Sequence, residues 1–245
     1  MRVMINERME QTMIAALILS GGTGSRIGTD VPKQYIEVGG RPIISYCIES
    51  LYRHDGIDAI QIVAASVWQE QIKERLVQDG FDKKFRGFSA PGENRQLSIL
   101  NGLKDIRSYA ESEDNDYVFI HDAARPLLTK KQISDCIEAV SGHDGVLPVL
   151  PMKDTVYSST DGKRVTALLN RSEIYAGQAP ELFRLGVYYE ANCRLLPDRI
   201  WQINGSTEPA VMAGLDIAMI PGDERNFKIT TKEDLERFRE MVREI

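Results

Sequence analysis

From Ile14 onward the chain alternates unbroken apolar runs with longer stretches in which apolar and charged residues recur at helical spacing. The runs IAALIL (14–19), IDAIQIVAA (57–65), YVFIH (117–121) and GVLPVLP (145–151) are apolar at successive rather than alternate positions. That is the pattern of strands buried on both faces, as in a parallel sheet. Positions 42–53, 68–79, 95–109, 130–141 and 232–244 carry helical periodicity instead, and Thr129 and Thr231 stand where the last two would take an N-cap. Strand and helix in alternation predict a single α/β domain over 13–245, Rossmann-like, with a mostly parallel sheet and helices on both faces. One segment breaks the alternation. KDTVYSS (153–159) and KRVTALL (163–169) flank an Asp161-Gly162 turn signal, which predicts a β-hairpin arm over about 152–170. An arm of this kind cannot bury both faces against its own domain, so its expected partner is a second copy of the chain, giving a homodimer. Residues 1–12 read as a frayed tail.

Composition removes several classes of function. The 245 residues hold 30 Lys and Arg against 36 Asp and Glu, a net charge of -6, so the chain lacks the basic footprint of a nucleic-acid binder. An anionic ligand would need a locally basic pocket. No segment approaches the roughly 20 apolar residues of a membrane span, and the N-terminus lacks the apolar core of an export signal. Cys47, Cys136 and Cys193 lie far apart with neither metal-ligand nor redox spacing, which suits free thiols in a reducing cytoplasm.

The chemistry concentrates first in LSGGTGSRIGTDVPKQ (19–34), directly after the first predicted strand. Gly21, Gly22 and Gly24 let backbone N–H groups approach a phosphate with no Cβ in the way, and Ser20 and Thr23 lie among them. Arg26 and Lys33 supply cations on either side. A dinucleotide-binding fingerprint would need glycine at position 27, which is Ile27, and the Gly-Lys-Ser/Thr of a P-loop is absent. A flexible loop bracketed by two cations remains, suited to a triphosphate. With the Tyr35 that follows, this segment resembles the signature of nucleotidyltransferases with a glycosyltransferase-A-type fold. More closely it resembles the 2-C-methyl-D-erythritol 4-phosphate cytidylyltransferases and the related ribitol-5-phosphate cytidylyltransferases. The resemblance runs from about residue 14 to the C-terminal helix.

Further segments carry the same resemblance. In PGENRQLSILNGL (91–103), Arg95 and Ser98 share one face of a predicted helix start, and the resemblance implies that Gly92, Glu93, Arg95 and Ser98 read the cytosine, the Ser98 hydroxyl by hydrogen bonding. HDAARP (121–126) follows a strand at the end where open α/β sheets bind ligands. There the resemblance places Asp122 and Ala123 near the nucleotide and Asp122 and Arg125 near the acceptor. His121 has no partner spaced to make it a metal ligand and reads as structural. NRSEIYAGQAPELF (170–183) matches an acceptor-phosphate segment at Arg171, which the resemblance sends into the neighbouring subunit's pocket, but departs from it at Ala179 and Glu181. Positions 206–210 match at Thr207 and depart at Glu208 and Pro209, so the departures gather on the acceptor side. NFKIT (226–230) matches fully and would bring Lys228 to the α-phosphate.

The implied reaction is attack by an acceptor phosphate oxygen on the α-phosphorus of CTP, with a small polyol phosphate as acceptor and pyrophosphate as leaving group. Arg26, Lys33 and Lys228 would stabilise the transition state, and Mg²⁺ would be carried mainly by the CTP phosphates. Methylerythritol phosphate is the expected acceptor, with ribitol 5-phosphate or another polyol phosphate as the alternative. A nucleotide-binding relative without turnover is a further reading, opposed by the retention of all three cations.

Overall fold

A computed structural model of the chain describes residues 12–22, 28 and 31–243. The expected tail, apart from Thr12, and the loop residues Thr23, Gly24 and Arg26 lie outside the described residues.

Strand β1 (Ile14–Leu19) is central. It pairs in parallel with β4 (Ala59–Val63) on one side and β6 (Tyr117–Asp122) on the other, in the register Ala15 to Ala59 and Ile14 to Tyr117. Beyond β4 lies β5 (Phe85–Ser89), also parallel. Beyond β6 the direction reverses: β11 (Glu181–Arg184) runs antiparallel to both β6 and β7 (Gly145–Pro151). Strand β10 (Tyr175–Gly177) continues β11's edge of β7, and β12 (Ile217–Pro221) pairs in parallel with the opposite edge. The predicted mostly parallel sheet is therefore present, with β10 and β11 as its antiparallel members.

Successive residues of a strand face opposite sides, so a strand covered on both faces must be apolar throughout. Ala16 and Ile18 of β1, Ile60 and Ile62 of β4 and Phe119 of β6 pack in one cluster with three helices. These are α1 (Ile43–Tyr52), α2 (Ser66–Asp79) and α4 (Lys130–Ala139). On the other face Ala15, Leu17, Val63 and Ile120 meet α3 (Arg95–Arg107) and α5 (Leu185–Cys193). Gly102 lets α3 approach closely, since a Cβ there would stand 2.3 Å from Leu17 Cδ1.

The expected caps are present. Thr129 forms a capping box with Gln132, and Thr231 Oγ1 accepts from the Asp234 N–H at 3.2 Å, starting α7 (Lys232–Arg243). An additional cap, Asn94 Oδ1 accepting from the Leu97 N–H at 2.7 Å, fixes the start of α3. Both α3 and α4 stop two residues short of the ranges read from sequence. Phe238 and Leu235 of α7 pack with Val38 of β2 (Glu37–Val38), which pairs with β3 (Arg41–Pro42), and with Ile229. This contact brings the C-terminal segment beside the first βα connection.

The hairpin arm is smaller than its sequence suggests. Only Tyr157–Ser158 (β8) and Ala167–Leu168 (β9) pair, while Asp161 Oδ1 accepts the N–H groups of Lys163 and Arg164 across the turn. Tyr157, Val165 and Leu168 remain exposed. All three cysteines are free, and burial pushes the Cys47 and Cys136 thiols up to about 12. Among the described residues no helix is long and apolar enough to cross a membrane.

Candidate active site

A cavity of about 470 Å³ opens at the C-terminal ends of β1 and β6. Gly21 and Gly22 reach it from the end of β1, and Lys33 from a short 3₁₀ turn, Lys33–Tyr35, held at the start of the next element. Gly92, Glu93, Arg95 and Ser98 reach it from the start of α3. Asp122 projects from the last position of β6, and Lys228 from the loop before α7. Five segments, the outermost about two hundred positions apart, thus supply one wall.

Asp122 is the electrostatic centre. Its Oδ1 lies 3.2 Å from Arg95 Nη2, and its Oδ2 lies 3.0 Å from Lys228 Nζ and 3.6 Å from Arg125 Nε. Burial alone would push the carboxyl up, but Arg95, Lys228 and Arg125 outweigh it and hold Asp122 well below the usual carboxylate range. Asp122 is therefore a fixed negative charge that positions cations and is unsuited to proton transfer. His121 is fully buried; its Nε2 lies 2.9 Å from the Arg125 carbonyl, and burial lowers its pKa to about 4. A neutral imidazole facing the interior bears out the structural reading.

Several expected site residues stand behind the wall. Arg125 is a half-buried clamp, donating from Nη1 to the Asn226 carbonyl at 2.7 Å and so tying β6 to the segment that carries Lys228. Ala123 extends the β1 ladder through its N–H to Leu19 O. Arg171 lies exposed at the base of the arm, with Nη1 donating to Lys153 O, and Thr207 places a buried hydroxyl oxygen at the start of α6 (Glu208–Met212). Ser98 does not offer its hydroxyl proton to a base: Oγ donates to the Asn94 carbonyl and accepts from the Gly92 N–H, both at 2.9 Å. It shapes the 91–94 loop, where a Cβ on Gly92 would come within 2.6 Å of Leu97 backbone carbon. Ser20 likewise turns inward, its Oγ donating to Tyr35 Oη at 2.8 Å.

The four departures on the acceptor side have internal explanations. Glu208 Oε2 accepts from the Asn204 N–H at 2.8 Å, and Pro209 occupies the first turn of α6, where a missing N–H costs no helix bond. Ala179 is buried and its carbonyl accepts from Asn226 Nδ2 at 2.9 Å. Glu181 is buried beside Arg95, and burial raises its pKa. None of the four lies on the cavity wall among the described residues.

Three supports have no role legible in the sequence. Gln34 Nε2 donates to the carbonyls of Ser20 and Gly22 at 2.8 and 2.7 Å, and Tyr35 Oη donates to Ser20 O at 3.1 Å while its ring stacks on Trp68. Ser206 Oγ accepts from Arg95 Nη1 at 2.6 Å, aiming that guanidinium. The available signal was a buried-length amide directly after Lys33; for Ser206 there was none.

A divalent cation fits the donor set in one way. The carboxylates on the wall are Asp122 and Glu93, and among the described residues no group of three or more His, Cys, Asp or Glu converges. Mg²⁺ ordinarily takes one or two carboxylates and completes its shell with water and substrate phosphate oxygens.

The profile of the 2-C-methyl-D-erythritol 4-phosphate cytidylyltransferase family matches residues 14–244. A protein of that name from Syntrophotalea carbinolica is 36% identical over 91% of this chain and 93% of its own length. A ribitol-5-phosphate cytidylyltransferase from Streptococcus pneumoniae is 31% identical over 94% of this chain and 99% of its own length. Among solved structures, the 4-diphosphocytidyl-2C-methyl-D-erythritol synthase of Anaerococcus prevotii is similar at a TM-score of 0.82 and 26% identity, covering 97% of this chain and 99% of that one.

Proposed function

The chain belongs to the 2-C-methyl-D-erythritol 4-phosphate cytidylyltransferase family, an enzyme family, and on that premise we propose that its cavity transfers CMP from CTP to 2-C-methyl-D-erythritol 4-phosphate. The observation that carries this reading is the meeting of Lys33, Arg95 and Lys228 on the wall of one cavity, with Arg95 and Lys228 both paired to Asp122. Two anions must be brought together there, and neutralising their charge is the main barrier.

An oxygen of the acceptor phosphate attacks the α-phosphorus of CTP. The bond from that phosphorus to the oxygen bridging the β-phosphate breaks, and pyrophosphate departs with the electron pair. A phosphate monoester has its second pKa near about 6, so at neutral pH the nucleophile is already mostly dianionic and needs no base. This agrees with a site whose His121 is buried and neutral and whose Asp122 is held ionised. Lys228 pairs with Asp122 until the α-phosphate arrives, then exchanges one anion for another, while Arg95 and Arg125 keep Asp122 compensated. Lys33 closes on the phosphates from the loop side with the peptide groups of Gly21 and Gly22, and Arg26 is assigned to the same phosphates by its place in the family motif. The tight Gly92 loop, shaped by Ser98, offers backbone groups to the cytosine edge. Bound Mg²⁺, held by the phosphates with Asp122 or Glu93, would add charge neutralisation on the triphosphate.

The acceptor has a second reading, ribitol 5-phosphate, favoured by the Streptococcus pneumoniae relative that matches over nearly its full length. Arg171 reaches the acceptor phosphate in either case, across a homodimer formed by the arms, in the cytoplasm, while Thr207, with its hydroxyl buried, supports that side from behind the wall. The test is pyrophosphate release with each of the four nucleoside triphosphates crossed with the two polyol phosphates. CTP with methylerythritol phosphate is expected to turn over fastest. No release with either acceptor would end the reading. Lys33→Ala and Lys228→Ala should each lower kcat about 10²- to 10³-fold, as loss of a preorganised charge does elsewhere; near-normal turnover would remove these residues from the transition state.

A further inference from the structure

We infer that Gln34 is a positioning residue for triphosphate binding: it clamps the carbonyls of the glycine loop away from the ligand and ties that loop rigidly to Lys33. The inference rests on the reading of the cavity as a CTP site. Gln34 is 3% exposed, and its Nε2 bridges Ser20 O at 2.8 Å and Gly22 O at 2.7 Å. A primary amide nitrogen carries two hydrogens, and both are engaged by these carbonyls. Gln34 borders the cavity, but Nε2 has no donor left for a phosphate. Its action is therefore indirect.

Two consequences follow from peptide geometry and charge. Because the peptide is planar and trans, the Gly21 N–H points opposite to Ser20 C=O, so the clamp on that carbonyl also sets the direction of a donor at the cavity wall. A carbonyl left free to turn toward a triphosphate would present its negative end to an anion, in a partly buried site where such a contact is weakly screened. The bond to Gly22 O suppresses this.

Position in the chain adds the second role. Gln34 follows Lys33 within one 3₁₀ turn, so the two bonds hold Lys33 at a fixed offset from Gly22 although eleven residues separate them in sequence. Tyr35 braces the same turn. Its hydroxyl donates to Ser20 O at 3.1 Å and accepts from Ser20 Oγ at 2.8 Å, and its ring stacks on Trp68 with centroids 4.4 Å apart. Ser20 is in turn fixed by its N–H to Val63 O at 2.9 Å. Ser20, Gly22, Lys33 and the end of β1 are thus tied into one unit.

The test compares ligands with different numbers of phosphates. Affinities of the full-length protein for CTP, CMP and inorganic tripolyphosphate are measured by calorimetry in Mg²⁺ buffer, for the wild type, Gln34→Met and Gln34→Glu. Loss of two buried hydrogen bonds that orient the loop should weaken CTP and tripolyphosphate by about ten- to a hundredfold and CMP by no more than about threefold, with Gln34→Glu the more severe. Equal weakening of all three ligands would overturn the inference, because it would mean that the whole pocket had been disturbed. Unchanged CTP affinity in both variants would overturn it as well. Tyr35→Phe keeps the stacked ring and removes only the hydroxyl, so it provides the same graded pattern at about threefold for CTP if a Gln34 variant folds poorly. Wild-type protein that binds tripolyphosphate but discriminates no cytidine nucleotide would sink the CTP reading instead, and is distinguishable from either result.

Discussion

The floor of the cavity and the hairpin arm are opposites in how they are held. At the floor, Asp122 meets Arg95 and Lys228, 27 and 106 positions away, and Arg125 ties the same strand end to Asn226 across 101 positions. In the arm the strands pair over two residues each, and beyond its base, where Lys153 pairs with Glu224, the polar contacts are local: Ser158 to Thr166, and Asp161 to Ser159, Lys163 and Arg164. Tyr157 and Leu168 stay 57% and 66% exposed. A two-stranded ribbon with so little of its own burial is marginal in water, whereas a carboxylate inside three cations is fixed by the whole domain. The difference teaches where a partner is needed. The cavity floor is held by contacts within one chain; the arm leaves apolar surface exposed, which suits the proposed second copy.

The contrast can be broken first at the floor. Asp122→Ala would leave the half-buried Arg95 and Arg125 without their counter-charge and should destabilise the fold by about 3 kcal/mol in urea unfolding. A loss under about 1 kcal/mol would mean that these cations are solvated and that the floor is no more constrained than the arm.

A comparable effect should appear as a pH dependence. Burial lowers the His121 pKa from 6.5 to about 4, so the unfolded chain takes up a proton at a pH where the folded chain does not. Stability from this group is complete above about pH 6.5 and falls as the pH drops toward about 4, by about 3 kcal/mol in all. Unfolding of the metal-free protein across that range should be steeper in pH for the wild type than for His121→Gln. Parallel curves would show that His121 titrates alike in the folded and unfolded chain.

The smallest expected effect belongs to the arm. Leu168→Ser should change unfolding stability in dilute protein by less than about 0.5 kcal/mol, as exposed substitutions do. Sedimentation should nevertheless shift toward monomer. A large loss of stability at concentrations where the protein is already monomeric would place Leu168 against its own domain and erase the contrast.

The parts legible in the sequence share a physical basis. Strands β1, β4, β6 and β7 could be read because burial on both faces leaves an unbroken apolar run, and α4 because Thr129 and Gln132 form their cap within three residues. Strand β5, with Arg86 and Gly87 at its centre, lies at the sheet edge and carries no such run. Helix α5, LGVYYEANC, is apolar on too many sides for a clear period. In the site, Gly21, Gly22, Lys33, Asp122 and Lys228 were visible as local motifs and do converge on one cavity.

The sequence by itself determined the alternation of strand and helix, the glycine loop after β1, and the residue types available to hold a triphosphate. These follow from periodicity, backbone freedom and charge within a few neighbouring positions. Only the tertiary structure decided which side each group serves. Glu208 caps a loop and Glu181 lies under Arg95, although both had read as acceptor-side departures; Ser98 shapes a turn; Gln34 holds the loop before Lys33. The reason is that a side chain's partner depends on sheet order and on which face is buried, and both arise from pairing between segments that no local window contains.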